Sequence, residues 1–210
     1  MVTSSACIIV APVTDESGEG ANGRVRTCEG PTACADLIGR VRQLVYGDHP
    51  SMSLRIALAQ TRQTDDFDDN IAAIFEALDQ AAAAGARIVC LPEAQTVGYR
   101  VDIVPADAPV PAARLEQVHR DVAARCKELN LACILGTETP VACGKPFNTA
   151  LVINERGEVL GSHHKSALTP LDAVAYSPGD GTYETFTLCG VCVGVVICFE
   201  GAFLAFTVSL

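Results

Sequence analysis

The sequence predicts an α/β domain in which helices pack on a mixed sheet. Three observations lead there. Short apolar runs of the buried-strand kind, Ile88 to Leu91 and Leu131 to Leu135, alternate with two amphipathic helical stretches. Two strand pairs follow, joined by turn sequences at Asn154-Glu155-Arg156-Gly157 and at Cys189-Gly190. Finally, 49% of the 210 residues are hydrophobic and 19% charged. That supports one domain with a real core and is too apolar for a disordered chain.

The readable pattern starts near residue 53, and residues 1–52 are expected to be a flexible extension that supplies no strand. Leu54, Ile56 and Leu58 alternate with smaller or polar neighbours, as in a half-buried strand. Asp65 to Asn70 is polar and rich in capping residues. Ile71, Ile74, Phe75 and Leu78 then mark one face of a helix that Gly85 ends. After the Ile88 to Leu91 strand, Leu115, Val118, Val122, Cys126 and Leu129 mark a second helix, and Leu131 to Leu135 the next strand. Thr149 to Ile153 with Val159 to His163, and Thr182 to Leu188 with Val191 to Ile197, form the hairpins.

Composition narrows the function. Fifteen Lys and Arg face 25 Asp and Glu, for a net charge of −10. Such a surface repels phosphate backbones, and no basic patch offsets it, so no nucleic-acid partner is expected. No apolar run approaches the roughly 18 residues of a membrane span. The ten cysteines fall below the density of a small disulfide scaffold, and several stand in core-like stretches. The run from Ala6 to Val13 is short, broken by Pro12 and not preceded by positive charge. It makes a poor secretory signal, and the expectation is a cytoplasmic protein with reduced thiols.

Three residues that follow strands stand where chemistry would be placed. Glu93 follows Ile88-Val89-Cys90-Leu91-Pro92, where a partly desolvated carboxylate can act as a base. Lys165 ends the strand that starts at Val159 and can stabilise an oxyanion. Cys198 ends the apolar strand Val191 to Ile197 and enters a turn, a setting that predicts a lowered thiol pKa and a nucleophile. Singly, each reads as well as an ordinary strand-end or core residue.

Other constellations are weaker. Gly190-Val191-Cys192-Val193-Gly194 has the form of a nucleophile elbow, but no His follows it. Cys189 and Cys192 form a Cys-x-x-Cys without a second ligand pair at zinc spacing. His163 or His164 could pair with Cys198 as in a cysteine protease, although both read better as strand residues.

The stretch from Leu54 to Phe203 resembles the nitrilase, or carbon–nitrogen hydrolase, superfamily. The likeness rests on Ile56-Ala57-Leu58-Ala59-Gln60, Ala83-Ala84-Gly85-Ala86 and Leu91-Pro92-Glu93, then Phe147-Asn148-Thr149-Ala150 and Gly157-Glu158-Val159-Leu160-Gly161. It ends in His164-Lys165 and Gly194-Val195-Val196-Ile197-Cys198-Phe199-Glu200. The resemblance implies an α-β-β-α sandwich, here incomplete at its C-terminal end over residues 53–210. It implies a Glu93, Lys165, Cys198 triad, with the backbone N–H of Phe199 helping Lys165 hold the oxyanion. Many members carry a second glutamate in a Pro-x-Glu pattern. Here Pro170-Leu171-Asp172 stands, making Asp172 an auxiliary acid of shorter reach.

The implied chemistry is hydrolysis of a small linear amide through a cysteine thioester, releasing ammonia and a carboxylic acid. It needs water but no metal or organic cofactor. Phe199, where nitrilases proper show Trp, favours an amide over a nitrile. A homodimer or higher homo-oligomer is the implied assembly. A non-catalytic fragment or interaction module is the alternative, because little sequence follows Cys198 and the apolar strand before it is expected to lie partly uncovered.

Overall fold

Two strand–helix cycles build the first sheet. In the computed structural model the described residues are 6–11 and 54–202. Strand β2, Ile56–Leu58, pairs in parallel with β3, Ile88–Cys90, which pairs in parallel with β4, Ala132–Thr139. Strands β5, Phe147–Ile153, and β6, Val159–His164, add antiparallel, giving the order β2-β3-β4-β5-β6.

The two crossovers are helices α1, Phe67–Ala83, and α2, Ala112–Leu129. Asp66 caps α1 by accepting from the backbone N–H groups of Asp68 and Asp69 at 2.8 and 3.0 Å. Asn130 ends α2 in the left-handed conformation, φ 49°, which its short polar side chain tolerates.

Strand alternation divides the core in two. Val89, Cys133, Leu135 and Ile153 face the helices, where they meet Ile74, Leu78, Val118, Val122 and Cys126. Ile88, Cys90, Ala132, Ile134, Ala150 and Val152 point the other way, onto a second sheet. That sheet has the order β1-β8-β7, from Ala6–Ala11, Val191–Ile197 and Thr185–Leu188 respectively. It presents Phe186, Leu188, Val193, Val195 and Ile197 to the first. The described residues thus form α-β-β layers of the expected sandwich.

Two expectations are corrected here. The segment 1–52 does supply a strand: β1 pairs antiparallel with β8 from Ala6↔Ile197 to Ala11↔Cys192. The Cys7-Ile8-Ile9-Val10 run is β-prone, and β8 offers it an edge to join. Residues 1–5 and 12–52, the rest of the expected extension, lie outside the described residues. Nor is β8 bare at its end, since Val196, on the face away from the first sheet, is 0% exposed.

Candidate active site

The Glu93 loop is fitted to the sheet by a missing side chain. Beyond β3 the chain runs through Leu91, whose N–H donates to Ile134 O at 3.0 Å, and Pro92. The Pro92 carbonyl oxygen lies so near β4 that a Cβ on Gly136 would come within 1.8 Å of it. Only glycine permits that approach. Ala94, at φ 53°, then turns the chain back. From the β2–α1 connection, Gln63 Nε2 donates to the Glu93 carbonyl at 2.5 Å.

This places the Glu93 carboxylate in the interior with its two oxygens unequal. Oε1 accepts from Lys165 Nζ at 2.8 Å and from Asn148 Nδ2 at 2.6 Å. Oε2 is buried and has no hydrogen-bond partner among the described residues. A buried acceptor held out of water and left unsatisfied is costly, so an incoming donor is favoured there.

Lys165 is positioned from both sides. Its N–H donates to Asn148 O and its carbonyl accepts from Gly179 N, each at 2.9 Å. Its Nζ bridges Glu93 to Asp172 Oδ2, the latter at 2.9 Å, and all three side chains are 0% exposed. Burial alone would lower the ammonium's pKa, but the carboxylates of Glu93 and Asp172 outweigh burial and raise it. Asp172 begins the short helix α3, Asp172–Ala175. Its Oδ2 also accepts from Thr169 N and Oγ1, both at 2.9 Å, and its Oδ1 accepts from the Tyr99 hydroxyl. Burial pushes its pKa up; Lys165, Tyr99 and Thr169 together hold it below the ordinary carboxylate value. The shorter side chain therefore does reach the lysine.

Cys198 opens a 3-10 turn, Cys198–Ala202, with φ 50°. A non-glycine residue in that region is strained by roughly 1–2 kcal/mol. The expected lowering of its pKa is corrected. Burial raises the thiol, Glu93 and Asp172 raise it further, and Lys165 and the Phe199 N–H offset only part. Burial and the two carboxylates together disfavour the thiolate.

Glu200 holds this turn in place. Its Oε2 accepts from Ile197 N at 2.7 Å and His163 Nε2 at 2.8 Å. Its Oε1 accepts from Ser166 N at 2.7 Å, Ser166 Oγ at 3.0 Å and Tyr183 OH at 3.1 Å. The nucleophile's turn, β6 and the loop after Lys165 thus converge on one buried carboxylate. Despite burial, these donors lower its pKa to about 2. Its stabilisation is full above the ordinary carboxylate value and is lost as pH falls towards 2. Glu200→Gln should cost about 3 kcal/mol at pH 7, because one oxygen becomes a donor facing donors. In urea unfolding the gap to wild type should narrow between pH 5 and about 2. An equal gap at pH 7 and 2.5 would show that the carboxylate's charge is not the cause.

The histidines are committed elsewhere: His163 to Glu200, and His164 to Thr149 Oγ1 at 3.0 Å while stacked on Phe147. Cys189 and Cys192 are free thiols in and beside the β7–β8 turn. Among the described residues no group of three or more His, Cys, Asp or Glu is placed to hold a metal ion. No described helix is long and apolar enough to cross a membrane.

Residues 55–210 match the carbon-nitrogen hydrolase family. The chain belongs to this family. It is 29% identical over 160 residues to the human omega-amidase NIT2, a match covering 72% of this chain and 56% of the relative. A nitrilase of Pyrococcus abyssi is 27% identical over 140 residues, covering 65% and 52%. Among solved structures, an amidase of Nesterenkonia sp. AN1 in complex with butyramide superposes with a TM-score of 0.58 at 27% identity, covering 65% of this chain and 52% of that one. Another structure of that amidase shows acrylamide added at its active-site cysteine. This carbon-nitrogen hydrolase chain spans about half the length of the relatives it matches.

Asn148, Tyr99 and Glu200 were missed as site residues by sequence reasoning. Asn148 and Glu200 lie inside motifs that carry the family resemblance, so a signal for both was present. Tyr99 had none beyond its place six residues after Glu93.

Proposed function

We propose that this chain carries the acyl-transfer centre of an amidase, with Glu93 as base, Lys165 as oxyanion holder and Cys198 as nucleophile. The observation that carries the reading is the divided Glu93 carboxylate: one oxygen is fixed by Lys165 and Asn148, the other is buried and unpaired. A thiol whose neighbours disfavour its charge needs such a base at the moment of attack.

Cys198 Sγ attacks the amide carbon as its proton passes to Glu93 Oε2. Net charge within the cluster is unchanged by that transfer, because the negative charge passes from Glu93 to the substrate's carbonyl oxygen. The carbonyl oxygen becomes an oxyanion, held by Lys165 Nζ and the Phe199 N–H. Collapse breaks the C–N bond as Glu93 returns the proton to nitrogen, which leaves as ammonia. Water, deprotonated by Glu93, attacks the thioester. The C–S bond breaks, the carboxylic acid leaves, and the sulfur recovers its proton. Asp172 keeps Lys165 charged and aligned. The reading includes a cytoplasmic, thiol-reducing setting and a homodimer or higher oligomer.

A panel of short primary amides, carbamoyl amines and nitriles, read by ammonia release from the purified protein, tests the reading. Amides are expected to be the substrates. Turnover of nitriles alone, or ammonia release that survives loss of the Cys198 thiol, would overturn it.

A further inference from the structure

The auxiliary carboxylate cannot touch a substrate. Asp172 is 0% exposed, its Oδ2 is taken by Lys165 and Thr169, and its Oδ1 by the Tyr99 hydroxyl. Asp172 is instead bonded to that phenol. Tyr99 is half-buried, and among the described residues none donates to its oxygen. Its place is fixed. The 94–98 turn ties it to the Glu93 loop through Gly98 N to Ala94 O at 2.9 Å. Its own carbonyl accepts from Ile103 N, also at 2.9 Å. Its ring stacks on the buried Tyr176 with centroids 6.2 Å apart. Gly98, at φ 82°, passes so close to Thr64 O that a Cβ would come within 2.5 Å, so only glycine fits just before the ring.

The hydroxyl is also within the electrostatic reach of the reacting groups. Burial raises its pKa most, then the bond to Asp172, then the charges of Glu93, Asp172 and Cys198. A phenol has one proton, and here that proton is given to Asp172. Towards the site it can only accept.

We propose that the Tyr99 hydroxyl, aligned by Asp172, accepts the N–H of a primary amide and makes the site select amides over nitriles. A nitrile carbon and nitrogen carry no hydrogen to give, so it leaves the buried phenol oxygen without a partner. A site built to pair a polar group discriminates strongly against an analogue that lacks it. The short Asp172 is thus completed by Tyr99: the carboxylate orients, and the phenol contacts.

The inference rests on the amidase reading, but its test needs no turnover. Cys198 is alkylated with iodoacetamide and, separately, with iodoacetonitrile, and rates are read by mass spectrometry of the Cys198 peptide. The intrinsic difference between the reagents cancels when wild type and variant are compared. Tyr99→Phe should lower the amide-to-nitrile rate ratio about fivefold or more, the equivalent of one lost hydrogen bond. Asp172→Asn is the second variant, for the case in which Tyr99→Phe does not fold. Its amide can donate to the phenol, freeing the phenol proton to point outward, and the ratio should fall again. A ratio that stays within about twofold of wild type in the folded variant, or equal slowing with both reagents, overturns the proposal. Ammonia release tests the amidase reading separately, so either can fail while the other stands.

Discussion

Replacing Lys165 with Met should destabilise the protein by about 3–5 kcal/mol at pH 7 and reduce amide hydrolysis at least about a hundredfold. Met nearly matches the length of the lysine stem, so packing is roughly kept and charge is removed. What remains is Glu93 and Asp172, both 0% exposed and both formerly bridged by Nζ at 2.8 and 2.9 Å. Two buried carboxylates without a cation cannot both stay ionised. One takes up a proton, which the wild-type site resists.

The pH dependence follows with opposite signs in the two proteins. In wild type, Asp172 is held below its ordinary value, so its contribution is full above that value and is lost as pH falls. In Lys165→Met the unpaired carboxylates have raised folded values, so the variant is penalised most at high pH and recovers as pH falls. Urea unfolding at pH 7 and at pH 5 should show the gap closing towards acid. A deficit under about 1 kcal/mol at pH 7 would mean that the lysine's desolvation cost nearly cancels its attraction to both carboxylates, and that the bridge serves chemistry alone.

The residues that the sequence made legible are those placed by their own strand. Glu93, Lys165 and Cys198 each stand just beyond an apolar run whose boundaries can be read locally; the structure bonds Lys165 to Glu93 and sets Cys198 within electrostatic reach of both. The residues that stayed hidden are placed by contacts across the chain. Asn148 meets Glu93 over 55 positions, and Tyr99 meets Asp172 over 73. Nothing local in Asn148 or Tyr99 encodes those meetings. Strand β1 was hidden for the same reason, because its partner β8 lies at the other end of the sequence. The raised thiol of Cys198 was missed differently. A strand end entering a turn suggests a lowered value, but burial raises it first and the carboxylates of Glu93 and Asp172 add to that, and Asp172 is present only once α3 is folded against Lys165. The fold layers were legible because the continuous apolar runs of β3 and β4, and the helical spacing of apolar residues in α1 and α2, are properties of each element alone. The left-handed turn at the nucleophile was not, since the residues that announce such a conformation are Gly, Asn and Asp.

That turn gives the last prediction. Cys198→Ala should lower amide hydrolysis by at least about 10⁴-fold, as loss of a nucleophile does when the rest of the site cannot replace it. Its stability should change little, because Ala and Cys are about equally strained at φ 50° and the half-buried sulfur contributes modestly to the core. Cys198→Gly should be just as inactive yet about 1 kcal/mol more stable than Cys198→Ala, since glycine adopts positive φ without a Cβ clash. The Gly variant is the informative one. Backbone strain at a reactive residue survives only where surrounding structure over-determines it, and here Glu200 does so by gripping Ile197 N on one side and Ser166 on the other. In the Glu200→Gln background that grip is weakened and the turn can relax, so the advantage of Gly over Ala should shrink. A double-mutant cycle by urea unfolding measures this coupling. An advantage of the same size in both backgrounds would show that the 3-10 turn keeps its left-handed start without Glu200, and that the strain is held by β8 alone.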